Sequence, residues 1–250
     1  MISRRALIGM GAGAGGLMLS GCDRLTASPT FRDGLRAGEA LTMRAQRLVT
    51  NRGALAPEFD AAQRSPVFRA NGTRRPSSPA YAAHAAANFA DWRLAVDGRV
   101  ARPQNFSLAQ IGTMPARTQI TRHDCVEGWS AIGQWTGVPL KLLLDQAGLR
   151  PDARYIVFHC ADDYGAGRYY ESIDLVDAFH PQTILAWGLN GRRLPVENGA
   201  PLRLRVERML GYKHAKYVER IEAVASLAGV GGGRGGYWED TNDYEWYAGV

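Results

Sequence analysis

The sequence predicts a single mixed α+β domain in which strands outnumber helices. The first indication is a series of short segments in which apolar and polar residues alternate, which is the period of a half-buried strand. The second is that few stretches show the three-to-four-residue spacing of an amphipathic helix. The third is composition, because 46% of the 250 residues are hydrophobic and 22% are charged, which suits one domain with a sizeable core. Many strands with few helices favour the α+β class.

Residues 1–21 are predicted to be an export leader and not part of the fold. Ser3-Arg4-Arg5 resembles a twin-arginine signal, with an ordinary secretory leader as the alternative. The stretch that follows is too short and too rich in glycine to span a membrane. Leu19-Ser20-Gly21-Cys22 resembles a bacterial lipobox, which implies a lipoprotein lipidated at Cys22. We therefore expect a periplasmic protein with a lipid anchor in the inner membrane.

Net charge and cysteine usage narrow the partners. Loss of Arg4 and Arg5 with the leader lowers the formal charge from +6 to +4, which does not predict nucleic-acid binding but is compatible with an anionic cofactor. With Cys22 lipidated, Cys125 and Cys160 remain, and in an oxidising periplasm they could form a disulfide. The sequence has no Cys-x-x-Cys-His motif for haem attachment. We therefore expect no covalently attached c-type haem.

The first part of the mature chain reads as irregular. Prolines interrupt residues 22–67, which are predicted to be a tether and wrapping segment with one helix between Gly38 and Thr50. The domain itself is predicted at residues 68–250. It opens with a short helical turn in an alanine-rich run at residues 82–90.

Alternation then predicts most of the sheet. Residues 92–96 form a strand that ends at the hairpin signal Asp97-Gly98, with Val100 resuming beyond it. Residues 138–147 predict a helix that Gly148 ends. Further strands are predicted at residues 155–160, 202–206 and, with a break in parity, 214–225, followed by a glycine-rich loop at residues 229–236.

A lone cysteine in a polar loop is the most informative motif. Cys125 lies between His123-Asp124 and the turn-forming residues 127–130. This loop resembles the molybdenum-binding loop of the sulfite oxidase and periplasmic methionine sulfoxide reductase superfamily, in which the cysteine thiolate ligates the metal of a pterin cofactor. Cys125 is the matching position, and a soft thiolate suits such a metal. A buried structural cysteine is the alternative.

A second motif places an arginine on one face of a strand. Asn198-Gly199 is a tight-turn signal, and the strand that follows has leucines on its apolar face, so Arg203 projects from the opposite face. A guanidinium can hold a phosphate through two parallel hydrogen bonds. The segment resembles the superfamily's Asn-Gly-x-Pro-x-Arg signature, which implies that Asn198 and Arg203 bind the cofactor. Arg205 shares this face and is a fallback anchor.

Three further matches complete the predicted site. His214, Ala215 and Lys216 resemble a stretch that cradles the cofactor, and Asn71 resembles the asparagine of an aromatic–Arg–Asn segment that touches the pterin. Cys160 corresponds to a position near the cofactor, although its strand also suits a small buried hydrophobe. The resemblance runs from about residue 68 to the C-terminus and implies the superfamily's β-rich, sulfite-oxidase-type molybdopterin-binding fold.

The resemblance implies a molybdopterin-dependent oxidoreductase that performs two-electron oxo transfer on a small-molecule substrate. Because the sequence has no haem motif of its own, it also implies a separate electron-transfer partner, a membrane haem protein or a cytochrome c. Acidic and aromatic residues follow Cys125, where sulfite oxidases carry an Asn-Arg-Arg cluster. We therefore expect reduction of an S-oxide or N-oxide, with sulfite oxidation as the alternative. Two other hypotheses stay open. One is a non-catalytic lipoprotein with a Cys125–Cys160 disulfide, and the other is a zinc or copper site formed by His123, Cys125, His159 and Cys160.

Overall fold

A computed structural model describes residues 28–165 and 167–250. The predicted leader and Cys22 lie outside the described residues, so export and lipidation stay predictions. The chain divides into two compact units, Met1–Thr50 and Asn51–Val250. The boundary between these units falls inside the segment that was predicted to be a tether.

The described residues of the first unit form one helix, α1 (Pro29–Val49). It begins well before the predicted Gly38, because Pro29 occupies the first turn, where the missing N–H of a proline is harmless. No residue of α1 is buried. Within the described parts of the chain, no helix is both long enough and apolar enough to cross a membrane.

The second unit is built from short strands with small helices between them. The strands are β1 (Arg93–Gly98), β2 (Gln104–Ser107), β3 (Arg117–Asp124), β4 (Ser130–Pro139), β5 (Tyr155–Asp163), β6 (Arg168–Asp174), β7 (Ile184–Leu189), β8 (Arg192–Arg193), β9 (Arg203–Arg205) and β10 (Val218–Val224). The helices are α2 (Pro79–Ala86), α3 (Leu108–Thr113), α4 (Leu140–Ala147), α5 (Leu175–Ala178) and α6 (Tyr237–Asn242).

These strands form two sheets in the described part of the chain. The first sheet has the order β2-β1-β10-β5-β6, and the second has the order β3-β4-β7-β8 with β9 also paired to β7. All pairs are antiparallel except β1 with β10. Residues before β1 extend the edge of the second sheet, since the Phe59 N–H donates to the Ile120 carbonyl and the Ser65 N–H to the Ile132 carbonyl.

Most predicted elements are present with shifted ends. Helix α4 buries Leu140, Leu143, Leu144 and Ala147 on one face and ends at Gly148, whose φ is +69°. The predicted parity break in β10 is a register shift between Val218 and Arg220. The prediction of a tight hairpin at Asp97-Gly98 is wrong, however. Strand β1 pairs instead with β2 across a longer loop, and Val100 forms an isolated bridge with Leu149.

The core lies in two clusters. The larger one joins the first sheet to helix α4 and includes Leu202 and Leu204, which flank Arg203 in the chain. The smaller one surrounds Trp135 of β4, which is fully buried. Arg203 and Arg205 project from β9 on the side of Trp135, at 5.2 and 4.4 Å from the ring centroid. The alternation of β9 therefore directs its leucines to one cluster and its arginines to the other.

Candidate functional site

Cys125 lies at the tip of the hairpin formed by β3 and β4. The two strands pair up to Asp124 and Ser130, and the Cys125 N–H donates to the Trp129 carbonyl at 2.9 Å. The Gly128 N–H donates to the Cys125 carbonyl at 3.0 Å, which closes the turn. Only 7% of Cys125 is exposed. The sequence therefore fixes the cysteine directly after a rigid strand, where its thiol borders a cleft.

The cleft has a volume of about 290 Å³ and is bordered by cationic, imidazole and aromatic side chains. Its polar lining includes Asn71, His123, Cys125, Glu127, Asp162, Arg203, His214 and Lys216. Its aromatic lining consists of Tyr164, Tyr169, Tyr212, Trp238 and Tyr244. The cleft thus combines a cationic wall with an aromatic one.

The Cys125 thiol is held by one side-chain hydrogen bond. The Asn71 amide donates to Sγ at 3.2 Å. Burial raises the pKa of the Cys125 thiol above its ordinary value, and the Asn71 hydrogen bond and the Arg69 charge oppose that rise. A thiol in these surroundings stays protonated at neutral pH, and a bound metal cation would favour the thiolate.

Cys160 lies elsewhere. It is 1% exposed in the larger core cluster and is not part of the cleft lining. Both cysteines are free thiols, so the Cys125–Cys160 disulfide is not formed. Within residues 28–165 and 167–250, no three His, Cys, Asp or Glu side chains gather as a metal site. The zinc or copper alternative therefore lacks its ligand set, and His159 pairs instead with Glu222 at 2.9 Å.

Arg203 is a buried cation with incomplete pairing. Its Nη1 donates to the Asn198 carbonyl at 3.2 Å, but its Nε is buried without a partner. Burial, followed by the charge of Arg205, lowers the pKa of Arg203 to about 9. A buried guanidinium with an unused donor and no carboxylate partner is suited to binding an anion.

Lys216 connects two segments of the cleft wall. Its Nζ donates to the carbonyls of Asn71 at 2.6 Å, Glu197 at 3.1 Å and Thr73. Burial, followed by the charge of Arg203, lowers the pKa of Lys216 to about 7. Because Lys216 holds the backbone of Asn71, it also positions the amide that reaches Cys125.

Asp162 is an acidic residue of the cleft lining. It is 1% exposed, and its Oδ1 has no partner. Burial raises the pKa of Asp162 to about 7, although Lys216 lowers it in part. The carboxyl group is therefore partly protonated near neutral pH.

Two histidines in the cleft are held in defined tautomers. The guanidinium of Arg205 can only donate, and its Nη1 lies 3.0 Å from His123 Nδ1, so the His123 proton is on Nε2. His214 Nε2 lies 3.0 Å from the Met209 carbonyl, which can only accept, so His214 Nδ1 carries a lone pair. Burial, more than any nearby charge, lowers the pKa of both imidazoles well below 6.5. Both rings are neutral at physiological pH.

Arg205, the fallback anchor, does not line the cleft. It is fully buried and forms two hydrogen bonds with Glu207, from Nε at 2.9 Å and from Nη2 at 2.5 Å. Gln119 donates to the same carboxylate at 2.8 Å. Arg205 is thereby committed to Glu207 and His123, which makes it a positioning residue for the imidazole.

A second buried ionic cluster supports the segment that carries His214. Lys213 Nζ donates to Glu171 at 2.5 Å and to Glu239 at 2.8 Å, and all three side chains are almost fully buried. The cluster joins β6, the turn at residues 211–213 and α6. Burial raises the pKa of Glu171 well above 4.5, and Glu239 reinforces that rise.

The structure brings most of the predicted site residues together. Asn71, Cys125, Arg203, His214 and Lys216 line one cleft. The Asn198 carbonyl accepts a hydrogen bond from Arg203, but Asn198 is not part of the cleft lining. Ala215 is buried in the larger core cluster. A cofactor role for these two residues and for Cys160 therefore stays a prediction.

Sequence reasoning missed other parts of the lining. His123 was expected only as a ligand of the zinc or copper alternative, although it precedes Cys125 by two residues and so shares its side of an extended chain. Asp162 and the aromatic wall had no local signal, because their residues come from distant segments of the chain.

The cleft fits an anionic group that accepts and donates hydrogen bonds. Among the described residues that line the cleft, Arg203 Nε is a buried donor without a partner, and His214 Nδ1 is a buried acceptor without one. At Gly211 an added Cβ would lie 2.6 Å from His123 Nε2, so only glycine keeps this part of the wall open. These atoms suit the phosphate and the heterocycle of a pterin cofactor, and Cys125 would supply a soft ligand for its metal.

Comparison with known proteins agrees with this chemistry. The sequence model of the oxidoreductase molybdopterin-binding domain matches residues 81–228. A putative protein-methionine-sulfoxide reductase subunit, YedZ1 of Azospira oryzae, is 43% identical over 160 residues, which cover 64% of this chain and 56% of that protein. The match therefore spans little more than half the length of that relative.

A solved structure shares the fold. The sulfane dehydrogenase SoxCD of Paracoccus pantotrophus superposes with a TM-score of 0.51 and 24% identity, over 55% of this chain and 39% of that chain. At this identity the likeness concerns the fold alone.

Proposed function

Because the chain belongs to the oxidoreductase molybdopterin-binding domain family and is a molybdenum-dependent oxidoreductase, we propose that it reduces an S-oxide such as methionine sulfoxide. Family membership confirms the predicted α+β sulfite-oxidase-type fold, the enzyme class and the molybdenum–molybdopterin cofactor. The observation that carries the proposal is the free thiol of Cys125 bordering a cleft in which the buried Arg203 has a donor without a partner among the described residues.

The residues of the cleft divide the work of holding the cofactor. Arg203 has an unused guanidinium donor that would bind a phosphate, and Cys125 would ligate molybdenum. Lys216 fixes the backbone of Asn71, whose amide in turn orients the thiol. When bound, the cofactor supplies two-electron oxo transfer, and the protein supplies orientation, charge and exclusion of water.

The cleft favours a neutral substrate over an anionic one. Glu127 and Asp162 both line the cleft, and carboxylate charge there opposes the approach of a dianion such as sulfite. Tyr164, Tyr212 and Trp238 give an aromatic surface suited to a methionine side chain. The relative whose name specifies protein-methionine-sulfoxide reductase supports the same substrate class. Sulfite oxidation is the alternative outcome of the test.

The two cysteines provide a matched test. We expect purified protein from a molybdenum-replete host to contain one molybdenum and one pterin per chain and to reduce methionine sulfoxide with a reduced viologen dye. Cys125→Ser should abolish turnover and metal retention because a hydroxyl is a poor ligand for a soft metal. Cys160→Ser, buried in the core, should keep both. Full turnover in Cys125→Ser, or zinc or copper in place of molybdenum, would contradict the proposal, and turnover of sulfite alone would reverse the direction assigned.

We further propose a periplasmic location, attachment to the inner membrane through Cys22, and a separate electron-transfer subunit. The leader resembles a twin-arginine signal, which exports proteins already folded and so suits a cofactor inserted beforehand. The relative from Azospira oryzae is named as a subunit, which supports a partner. Arg4→Lys with Arg5→Lys should leave the protein in the cytoplasmic fraction, and normal export of that variant would contradict the leader assignment.

A further inference from the structure

Helix α1 has two chemically distinct faces. At 100° per residue, most of its large apolar side chains fall within one sector, and its charged side chains fall in the opposite sector, which also contains Ala40 and Met43. The apolar sector contains Phe31, Leu35, Leu41, Ala45, Leu48 and Val49. The charged sector contains Arg32, Asp33, Arg36, Glu39, Arg44 and Arg47, with a net charge of +2. This is the pattern of a helix that lies at a boundary between water and an apolar phase.

The apolar sector of α1 is exposed. Phe31 is 38% exposed, Leu35 56%, Leu41 63%, and Leu48 and Val49 86% each. These are five of the nine large hydrophobic side chains that are exposed in the described residues, although α1 is a small part of the chain. An apolar stripe of this length, about 30 Å at 1.5 Å per residue, indicates an interaction surface.

We propose that α1 lies flat on an anionic lipid bilayer, with its apolar sector in the boundary between headgroups and acyl chains. A net positive charge on the other sector suits anionic lipids, and α1 is too polar to cross the bilayer. The inference rests on the proposed lipid anchor only for its setting. Residues 23–28 can span at most about 20 Å, so lipidation at Cys22 would start α1 close to the headgroups.

The test uses the chain from Asp23 onward, which lacks both the predicted leader and the predicted lipidation site Cys22. Its flotation with vesicles of phosphatidylglycerol and phosphatidylethanolamine is compared with its flotation on phosphatidylcholine alone. We expect binding to the anionic vesicles that weakens with salt. Leu41→Glu with Leu48→Glu should lower the partition coefficient roughly tenfold or more, because it places two charges in the acyl boundary.

A matched variant separates orientation from charge. Ala40→Glu with Met43→Glu makes the same change in charge on the opposite sector of the same helix and should lower binding only about two- to threefold. Equal losses in the two variants, or no binding by the parent chain, would overturn the proposal. Such failure would leave the Cys22 anchor and the activity intact, because lipidation and turnover of methionine sulfoxide are measured separately. Rescue of binding only by a co-purified membrane protein would assign α1 to that partner instead.

Discussion

Two pairs of buried cations differ in how the protein neutralises them. The wall pair, Arg203 and Lys216, lines the cleft and donates to backbone carbonyls. The inner pair, Arg205 and Lys213, is fully buried outside the cleft lining, and each member binds carboxylates. The pKa of Arg203 falls to about 9 and that of Lys216 to about 7, whereas two glutamates raise the pKa of Lys213.

This difference separates function from stability. A buried cation whose hydrogen bonds go to neutral carbonyls has lost its hydration without gaining an ion pair. The binding of an anion beside it offsets that free-energy cost. A buried cation that is already paired with a carboxylate gains nothing from a bound ligand, but the fold depends on that ion pair remaining intact. In the proposed function the wall pair would bind anionic groups of the cofactor, whereas the inner pair stabilises the fold around the cleft.

The largest expected effect comes from breaking the ion pair that Arg205, a member of the inner pair, forms with Glu207. Glu207→Ala leaves Arg205 buried without a counter-charge and should lower the free energy of unfolding by about 3–5 kcal/mol. Urea unfolding of the apoprotein measures this loss. The control is Arg205→Met combined with Glu207→Leu, which removes both charges and should recover much of the stability. An unchanged urea midpoint in Glu207→Ala would mean that the inner pair does not support the fold.

Changing the wall pair should affect the cofactor more than the fold. Arg203→Met keeps the packing of the stem against Trp135 but removes the phosphate donor, which should weaken cofactor retention by about 1.5–3 kcal/mol. Molybdenum and pterin per chain after prolonged dialysis give the readout. Apoprotein stability should not fall, whereas Arg205→Met should lower it. Full cofactor content in Arg203→Met would refute the role assigned to this arginine.

A pH-dependent effect is expected from Asp162. The folded-state pKa of Asp162 is about 7, against an ordinary value of 3.8. The folded protein thus binds the proton more tightly than the unfolded chain does, so the contribution of Asp162 is full below about pH 4 and is lost as pH rises to about 7. Asp162→Asn should reduce the decline of the apoprotein's urea midpoint between pH 5 and pH 8. An identical slope in this variant would contradict the raised pKa.

Sequence patterns predicted the parts of the site that depend on periodicity. The alternation of β9 placed Arg203 opposite the leucines, and helix α4 follows its apolar spacing to Gly148. Strand β3 escaped prediction because its inward-facing residues, Gln119, Thr121 and His123, are polar. A sheet face that serves a buried hydrogen-bond network carries no hydrophobic alternation to read.

The inner pair shows why other parts could not be predicted. Lys213 meets Glu171 and Glu239, which lie 42 and 26 residues away in the chain. Nothing local to these residues indicates their meeting, since it results from the packing of β6 against α6. Arg205 and Glu207 are different, because residues two apart on an extended chain share a side and could have been paired from the sequence.

The hydrogen bond from Lys216 to the Asn71 carbonyl also bears on when the cofactor can be loaded. The two residues are 145 positions apart, and at synthesis rates of about 5–20 residues per second Lys216 leaves the ribosome roughly 7–29 s after Asn71. Until then the amide that orients Cys125 lacks its fixed backbone. Loading of the cofactor is therefore an event for a chain that has been synthesised at least through Lys216, and a growing chain stalled before that residue should remain unloaded however much cofactor is supplied.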